Sequence, residues 1–150
     1  MEYGALSGDL QNEYYKEGIY VCYRYFDSFG IEPRYPFGYG LSYTNFAIRC
    51  VGVKAEGMVV ELKAAVTNTG DRAGKQVVQL YVSAPEEGLN KEFQSLAAFA
   101  KTAELEPGQT EELALTFDLR ELSSYRERDG AFILDSGDYV LRLGDSSRNT

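Results

Sequence analysis

The sequence predicts an all-β fold, two antiparallel sheets packed face to face, preceded by an extended tyrosine-rich segment. Three observations carry that prediction. From residue 46 onward, short runs alternate apolar and polar residues with the two-residue period of a half-buried strand. Clusters of Gly, Pro, Asn and Asp separate these runs. The aromatic residues are unevenly placed: of 12 tyrosines, nine precede residue 46, so the composition changes near Thr44.

The strands follow in order. "FAIRCVGV", residues 46–53, opens the series, and Glu56 and Gly57 turn the chain. "MVVELKAAVTN" sets Val60, Leu62, Ala64 and Val66 on one face and Glu61, Lys63 and Thr67 on the other. "NTGDRAG" reverses direction, and "KQVVQLYVS" aligns Val78, Leu80 and Val82. After the polar loop "APEEGLNKE", the run "FQSLAAFAKTAEL" fits strand or helix by spacing and is read as extended. Pro107 and Gly108 occupy the central positions of a type II turn. "TEELALTFDL" then alternates through Leu113, Leu115, Phe117 and Leu119, and "RELSSYRERDG" is a polar connection with room for one helical turn. "AFILD" and "YVLRLGD", joined by the turn "DSGD", are expected to close the fold as a pair, with Tyr139, Leu141 and Leu143 facing one way. About seven strands without a long helix is the pattern of an immunoglobulin-like or fibronectin type III-like sandwich, with a β-barrel as the other closed arrangement.

Residues 1–45 do not read as a domain. Ile19–Phe26 is rich in β-formers on both faces, which predicts a strand covered on both sides. In "GIEPRYPFGYGLSYT", Pro33 and Pro36 fix φ while Gly38 and Gly40 permit sharp bends. Its rings are expected to lie on a surface as a strap. Burying four tyrosine-sized side chains at ~25 cal/mol per Å² amounts to roughly 10 kcal/mol before ordering costs.

Composition limits the chemistry. The chain has 150 residues, 44% hydrophobic and 25% charged, with a net charge of −8. That charge argues against binding nucleic acid or an anionic membrane surface, both of which require clustered Lys and Arg. No apolar run reaches the roughly 20 residues of a membrane span, and "MEYGALSGDL" lacks the features of a signal peptide, leaving localisation open. There is no histidine, which removes His-activated nucleophiles and His proton shuttles. Cys22 and Cys50 form no zinc motif and are expected as separate buried or half-buried thiols, with a disulfide between them as the other arrangement. Asp135, Asp138 and Asp145 could together hold calcium, but turn chemistry accounts for them, and no cofactor or metal is expected. Adjacent acids such as Glu86 with Glu87 and Glu111 with Glu112 would point to opposite faces of a strand. Of the later aromatics, Tyr81, Tyr125, Tyr139, Phe93, Phe99, Phe117 and Phe132 are expected in the core rather than on a sugar-stacking face.

"EGIYVCYRYFDSFGIEPRYPFGYGLSYTNF", Glu17 to Phe46, resembles the stretch by which family 3 glycoside hydrolases, the β-glucosidase and β-xylosidase group, pass from an α/β sandwich domain into a fibronectin type III-like domain. "VTNTGDRAGKQVVQLYVSAP", "LAAFAKTAELEPGQTEELALTF" and "SGDYVLRLGDSSRN" resemble strands of that domain in their usual order. The resemblance implies residues 1–45 as the tail of a preceding domain plus linker, and 46–150 as the fibronectin-like domain. It implies a non-catalytic brace, with Tyr23, Tyr25, Phe26, Tyr35, Phe37, Tyr39 and Tyr43 docking onto catalytic domains outside this chain. In isolation those rings would favour a homodimer or a loose N-terminal third. The other reading is a carbohydrate-binding module, with Tyr23, Tyr25 and Tyr39 near a sugar site. No catalytic residue carries over, because the family's "SDW"-like nucleophile motif is missing and a (β/α)8 barrel needs about 250 residues. Where the family commonly has Gly in a "VGYRYFD" pattern, this chain has Cys22.

Overall fold

The computed structural model of the chain describes residues 15–85 and 89–150. Tyr3, Tyr14, Glu86 and Glu87 lie outside the described residues.

Eight strands are found among the described residues: β1 (Phe46–Glu56), β2 (Val59–Asn68), β3 (Val77–Ser83), β4 (Ser95–Lys101), β5 (Thr110–Asp118), β6 (Ser124–Arg126), β7 (Ala131–Ile133) and β8 (Val140–Gly144). One sheet has the order β1-β2-β5 and the other β4-β3-β8, all antiparallel, while β6 and β7 form a separate hairpin. The two-sheet sandwich is as expected. Its core is the set of alternating residues singled out by pattern: Val60, Leu62, Ala64 and Val66 of β2 meet Val78, Leu80 and Val82 of β3, with Leu115 and Phe117 from β5 and Leu105 from the preceding turn. Each of the Val, Leu and Phe side chains contributes roughly 1.5–3 kcal/mol on burial.

Asn68 ties the loops at one end. Its carboxamide oxygen accepts from the Thr44 hydroxyl at 2.8 Å, and its Nδ2 donates to the carbonyls of Arg72 and Leu105. This explains a buried asparagine at the end of a strand: every lone pair and proton it offers is used to hold a turn.

Four expectations are corrected. The closing strands do not pair with each other; β7 pairs with β6, and β8 with β3. The polar connection before Ala131 holds two single turns of 3₁₀ helix, Leu119–Leu122 and Glu127–Asp129, with β6 between them. Ile19–Phe26 is not a strand: Tyr23–Ser28 is a short α-helix, α1, because an i, i+4 spacing aims Tyr23 and Asp27 together at the sandwich. Both cysteines are exposed, Cys22 in the turn before α1 and Cys50 on β1 beyond the cover of the facing sheet.

Candidate docking surface

β3 presents two buried faces. Val78, Leu80 and Val82 point into the core, and on the outer face Gln79 and Tyr81 are also buried, Tyr81 at 0% exposure. The cover on that outer face is the N-terminal segment. Tyr23 stands edge-on to Tyr81 with ring centroids 5.8 Å apart and stacks on Phe37 with centroids 4.8 Å apart, while its hydroxyl accepts from the Leu96 backbone N–H at 2.8 Å. The Phe37 carbonyl accepts from Ser147 N–H at 2.8 Å.

Polar side chains lock this contact. The Tyr81 hydroxyl donates to Gln79 Oε1 at 2.6 Å, and Gln79 Nε2 donates to the Asp145 carbonyl. Burial, helped by nearby Tyr23 and Asp27, pushes the Tyr81 phenol well above its ordinary value, so it stays a neutral donor. Gln94 Nε2 reaches both Asp27 Oδ2 at 2.9 Å and the Ser147 carbonyl at 2.8 Å. Arg148 pairs with Asp27 at 2.6 Å and donates to the carbonyls of Phe26 and Ile31. α1 is therefore clamped to the turn that follows β8.

Two backbone positions make the approach possible. Gly38, at φ +85°, crosses Gln79 so closely that a Cβ would stand 2.3 Å from Nε2. Cys22 has φ 57° and ψ −130°, the one positive-φ non-glycine among the described residues. A glycine would take this conformation freely, whereas the cysteine carries the strain.

The strap residues divide into two groups. Tyr23, Tyr25 and Phe26 on α1 are partly buried; Tyr25 makes edge and tilted contacts with Phe26 and Phe29. Phe37 is half-exposed but wedged against Tyr23. Tyr35 and Tyr39 pair at 5.1 Å and face outward, and Tyr43 and Leu41 are 91% and 90% exposed. The described residues thus supply a surface for the first group and leave the second facing outward. Sequence reasoning missed the receiving side: Gln79, Tyr81, Gln94 and Arg148. The one signal was "VVQLYVS", a strand with no charged residue on either face.

Among the described residues, the buried charges outside α1 are paired. Lys91 and Asp135, both nearly buried, pair at 2.8 Å; Arg126 adds a second contact to Asp135, and Lys91 also donates to Ser124. Lys91 and Arg126 thereby hold the Asp135 carboxyl below its usual range, with Lys91 the larger influence. Asp135 is thus a partner for cations on its own chain, and among the described residues no three metal-ligating side chains gather. Between residues 16–24 and the sandwich lies a cleft of about 820 Å³ lined in part by Glu17, Glu92 and Glu121; Glu92 is taken up by Arg24 at 3.7 Å and by the Ser95 hydroxyl.

The expected core aromatics also divide. Phe117 and Tyr81 are buried and Tyr139 packs against the core, but Phe93, Phe99, Tyr125 and Phe132 are exposed, Phe132 at 71%. Tyr125 and Phe132 face each other across the β6–β7 hairpin at 5.3 Å. The hairpin is a separate two-stranded sheet whose Ser124, Arg126, Ala131 and Ile133 are half-buried, so Tyr125 and Phe132 lie on its outer face and cover each other instead of entering the core.

Residues 76–147 match the family model described as a fibronectin type III-like domain. The thermostable β-glucosidase B of Acetivibrio thermocellus is 36% identical over 139 residues, covering 90% of this chain and 18% of that protein. The structure of β-glucosidase 3B from Thermotoga neapolitana in complex with α-D-glucose superposes with a TM-score of 0.84 at 46% identity, over 90% of this chain and 19% of that one. The GH3 β-glucosidase of Bifidobacterium adolescentis superposes at 0.82 and 34% identity, over 89% and 20%. The chain therefore spans about a fifth of the length of these relatives. No helix among the described residues is long and apolar enough to cross a membrane.

Proposed function

The chain carries the fibronectin type III-like domain of family 3 β-glucosidases, and from that premise we propose that it braces the catalytic domains of such an enzyme through its N-terminal strap. In the relatives this domain is one part of a much longer chain. The observation that carries the reading is the division of the strap. Tyr23 and Phe37 anchor it to β3, and that anchoring leaves Tyr35, Tyr39, Leu41 and Tyr43 held outward as a ring-bearing rib. Rings with a hydroxyl at the rim suit a half-wet contact between domains. Residues 1–45 then act as the tail and linker of the preceding domain, and 46–150 as the accessory domain. The hydrolysis of β-glucosides belongs to the parent enzyme, with its acids on other domains.

The test is a chimaera in which this chain replaces the matched region of the Thermotoga neapolitana enzyme. The expected result is an active chimaera whose thermal inactivation temperature falls when Tyr35, Tyr39 and Tyr43 are changed to Ser, with KM unchanged. Equal inactivation temperatures would overturn the docking role. The isolated chain is expected to leave p-nitrophenyl glucoside intact and to bind neither cellulose nor xylan; binding to either polymer would favour a carbohydrate-binding module instead. Self-association of the isolated chain through the outward rings would appear as a dimer in sedimentation, and would be lost in the triple variant.

A further inference from the structure

The chain contains one Asp-Gly pair, Asp129–Gly130, and no Asn-Gly pair. It stands at the tip of the β6–β7 hairpin. Glu127–Asp129 makes a single 3₁₀ turn, and Gly130 caps it at φ 58° and ψ 30°, a left-handed conformation that glycine takes freely. Residues 127–130 are all exposed, and nothing lies within 4 Å of the place a Gly130 Cβ would take. β6 and β7 have three residues each and pair with no other strand. A hairpin of that size is marginal on its own, so its tip opens at little cost.

Three contacts hold the tip. Gly130 N–H donates to the Glu127 carbonyl at 3.2 Å. Asp129 Oδ2 lies 3.3 Å from Arg126 Nη1, and its Oδ1 lies 3.2 Å from Arg128 Nε. The Arg128 side chain is 77% exposed, and pairs so exposed hold weakly. Arg126 is shared, since its Nη2 reaches the buried Asp135 at 3.2 Å. The other aspartates followed by a small residue are Asp27, Asp135 and Asp145, each before a serine. Asp27 is buried in α1 beside Arg148, and Asp135 is buried between Lys91 and Arg126. Asp145 accepts from Asn149 Nδ2 at 3.0 Å. Asp129 alone combines exposure, weak partners and a following glycine.

We propose that Asp129 is a site of spontaneous isoaspartate formation, gated by release of Arg126 and Arg128. The Gly130 backbone nitrogen attacks the Asp129 side-chain carbon Cγ. A C–N bond forms, a carboxyl C–O bond breaks, and the amide proton leaves with the departing hydroxyl as water. The product is a cyclic succinimide. Water then adds at either ring carbonyl: breaking the bond to Cγ restores aspartate, and breaking the bond to the Asp129 main-chain carbonyl carbon gives isoaspartate. The water released is returned, no electrons change hands, and the mass is unaltered. An ionised carboxylate held by two guanidiniums is a poor electrophile and is not free to turn toward the next amide, so the two arginines set the rate. In isoaspartate the main chain runs through Cβ and Cγ. That lengthened turn no longer fits the Arg126↔Ala131 register and separates the facing rings of Tyr125 and Phe132.

The full chain and a synthetic peptide of residues 124–133 are kept in warm, mildly acidic buffer. Isoaspartate is counted by enzymatic methylation of its free α-carboxyl and placed by peptide mapping, and thermal midpoints confirm that every variant is folded during incubation. The folded chain is expected to accumulate isoaspartate at Asp129 before any other aspartate, more slowly than the peptide. Arg128→Gln is expected to quicken this roughly twofold to fivefold, the range that loss of an exposed ion pair commands, and Arg126→Gln likewise. Gly130→Ala strains the turn at φ 58° and loosens it, yet is expected to suppress the product, because the added methyl hinders attack by the nitrogen. A signal that came from loosening alone would rise instead. An unmodified Asp129 once the peptide has converted, isoaspartate first at Asp27, Asp135 or Asp145, rates indifferent to both arginine changes, or product undiminished in Gly130→Ala would each overturn the proposal.

Discussion

Arg148 Nε lies 2.6 Å from Asp27 Oδ1, joining the first helix to the last turn of the described chain. The carboxylate is almost fully buried while the guanidinium is partly exposed, so the pair is asymmetric. Removing Arg148 would leave Asp27 with Gln94 as its remaining partner in a dry place. Arg148→Ala is expected to cost about 2–4 kcal/mol, measured as a drop in the urea midpoint. Amide exchange in α1 is expected to accelerate more than in β2 or β3. Equal acceleration everywhere would mean that the pair does not latch the helix.

Gly38 and Gln79 make a second latch. Gly38→Ala forces a Cβ into the Gln79 amide at a backbone angle that alanine rarely takes. The expected loss is about 2 kcal/mol, with the strap displaced from β3 and Phe37 more accessible. Gly40→Ala, where nothing lies within 4 Å, serves as the control and is expected to change stability little.

Cys22 holds a positive φ without a glycine's freedom. Cys22→Gly should relieve that strain and raise stability by about 1 kcal/mol, seen as a higher urea midpoint at an unchanged slope. A lower midpoint would show that the thiol makes a contact worth more than the strain.

Two of the shifted groups, one toward each end of the pH scale, give separable pH dependence. Tyr81 has a raised pKa in the folded chain, so its contribution is complete below the ordinary phenol value of 10.0 and is lost as pH climbs beyond it. Asp135 is lowered, so its contribution is present above the ordinary carboxyl value of 3.8 and is lost as pH falls beneath it. Tyr81→Phe is expected to flatten the alkaline limb of a stability profile and leave the acid limb alone, and Asp135→Asn the reverse. Thermal midpoints taken across the pH range check both.

The sequence alone determined the sandwich, because alternation is a local property: Val60, Leu62, Ala64 and Val66 can face one way only if β2 is a strand, and one register buries them. The turn at Pro107 and Gly108 was legible for the same reason, since two residues suffice to set it. Tertiary structure decided the rest. Tyr23–Ser28 has the residues of a strand, but packing Tyr23 on Tyr81 of β3 and pairing Asp27 with Gln94 and Arg148 outweighs a propensity spanning only about 1 kcal/mol, so it is a helix. Which strap rings lie inward, and that β8 turns to β3 rather than to β7, depend on partners far away in sequence. Periodicity tells a residue which face it shares; only the assembled chain decides what, if anything, covers that face.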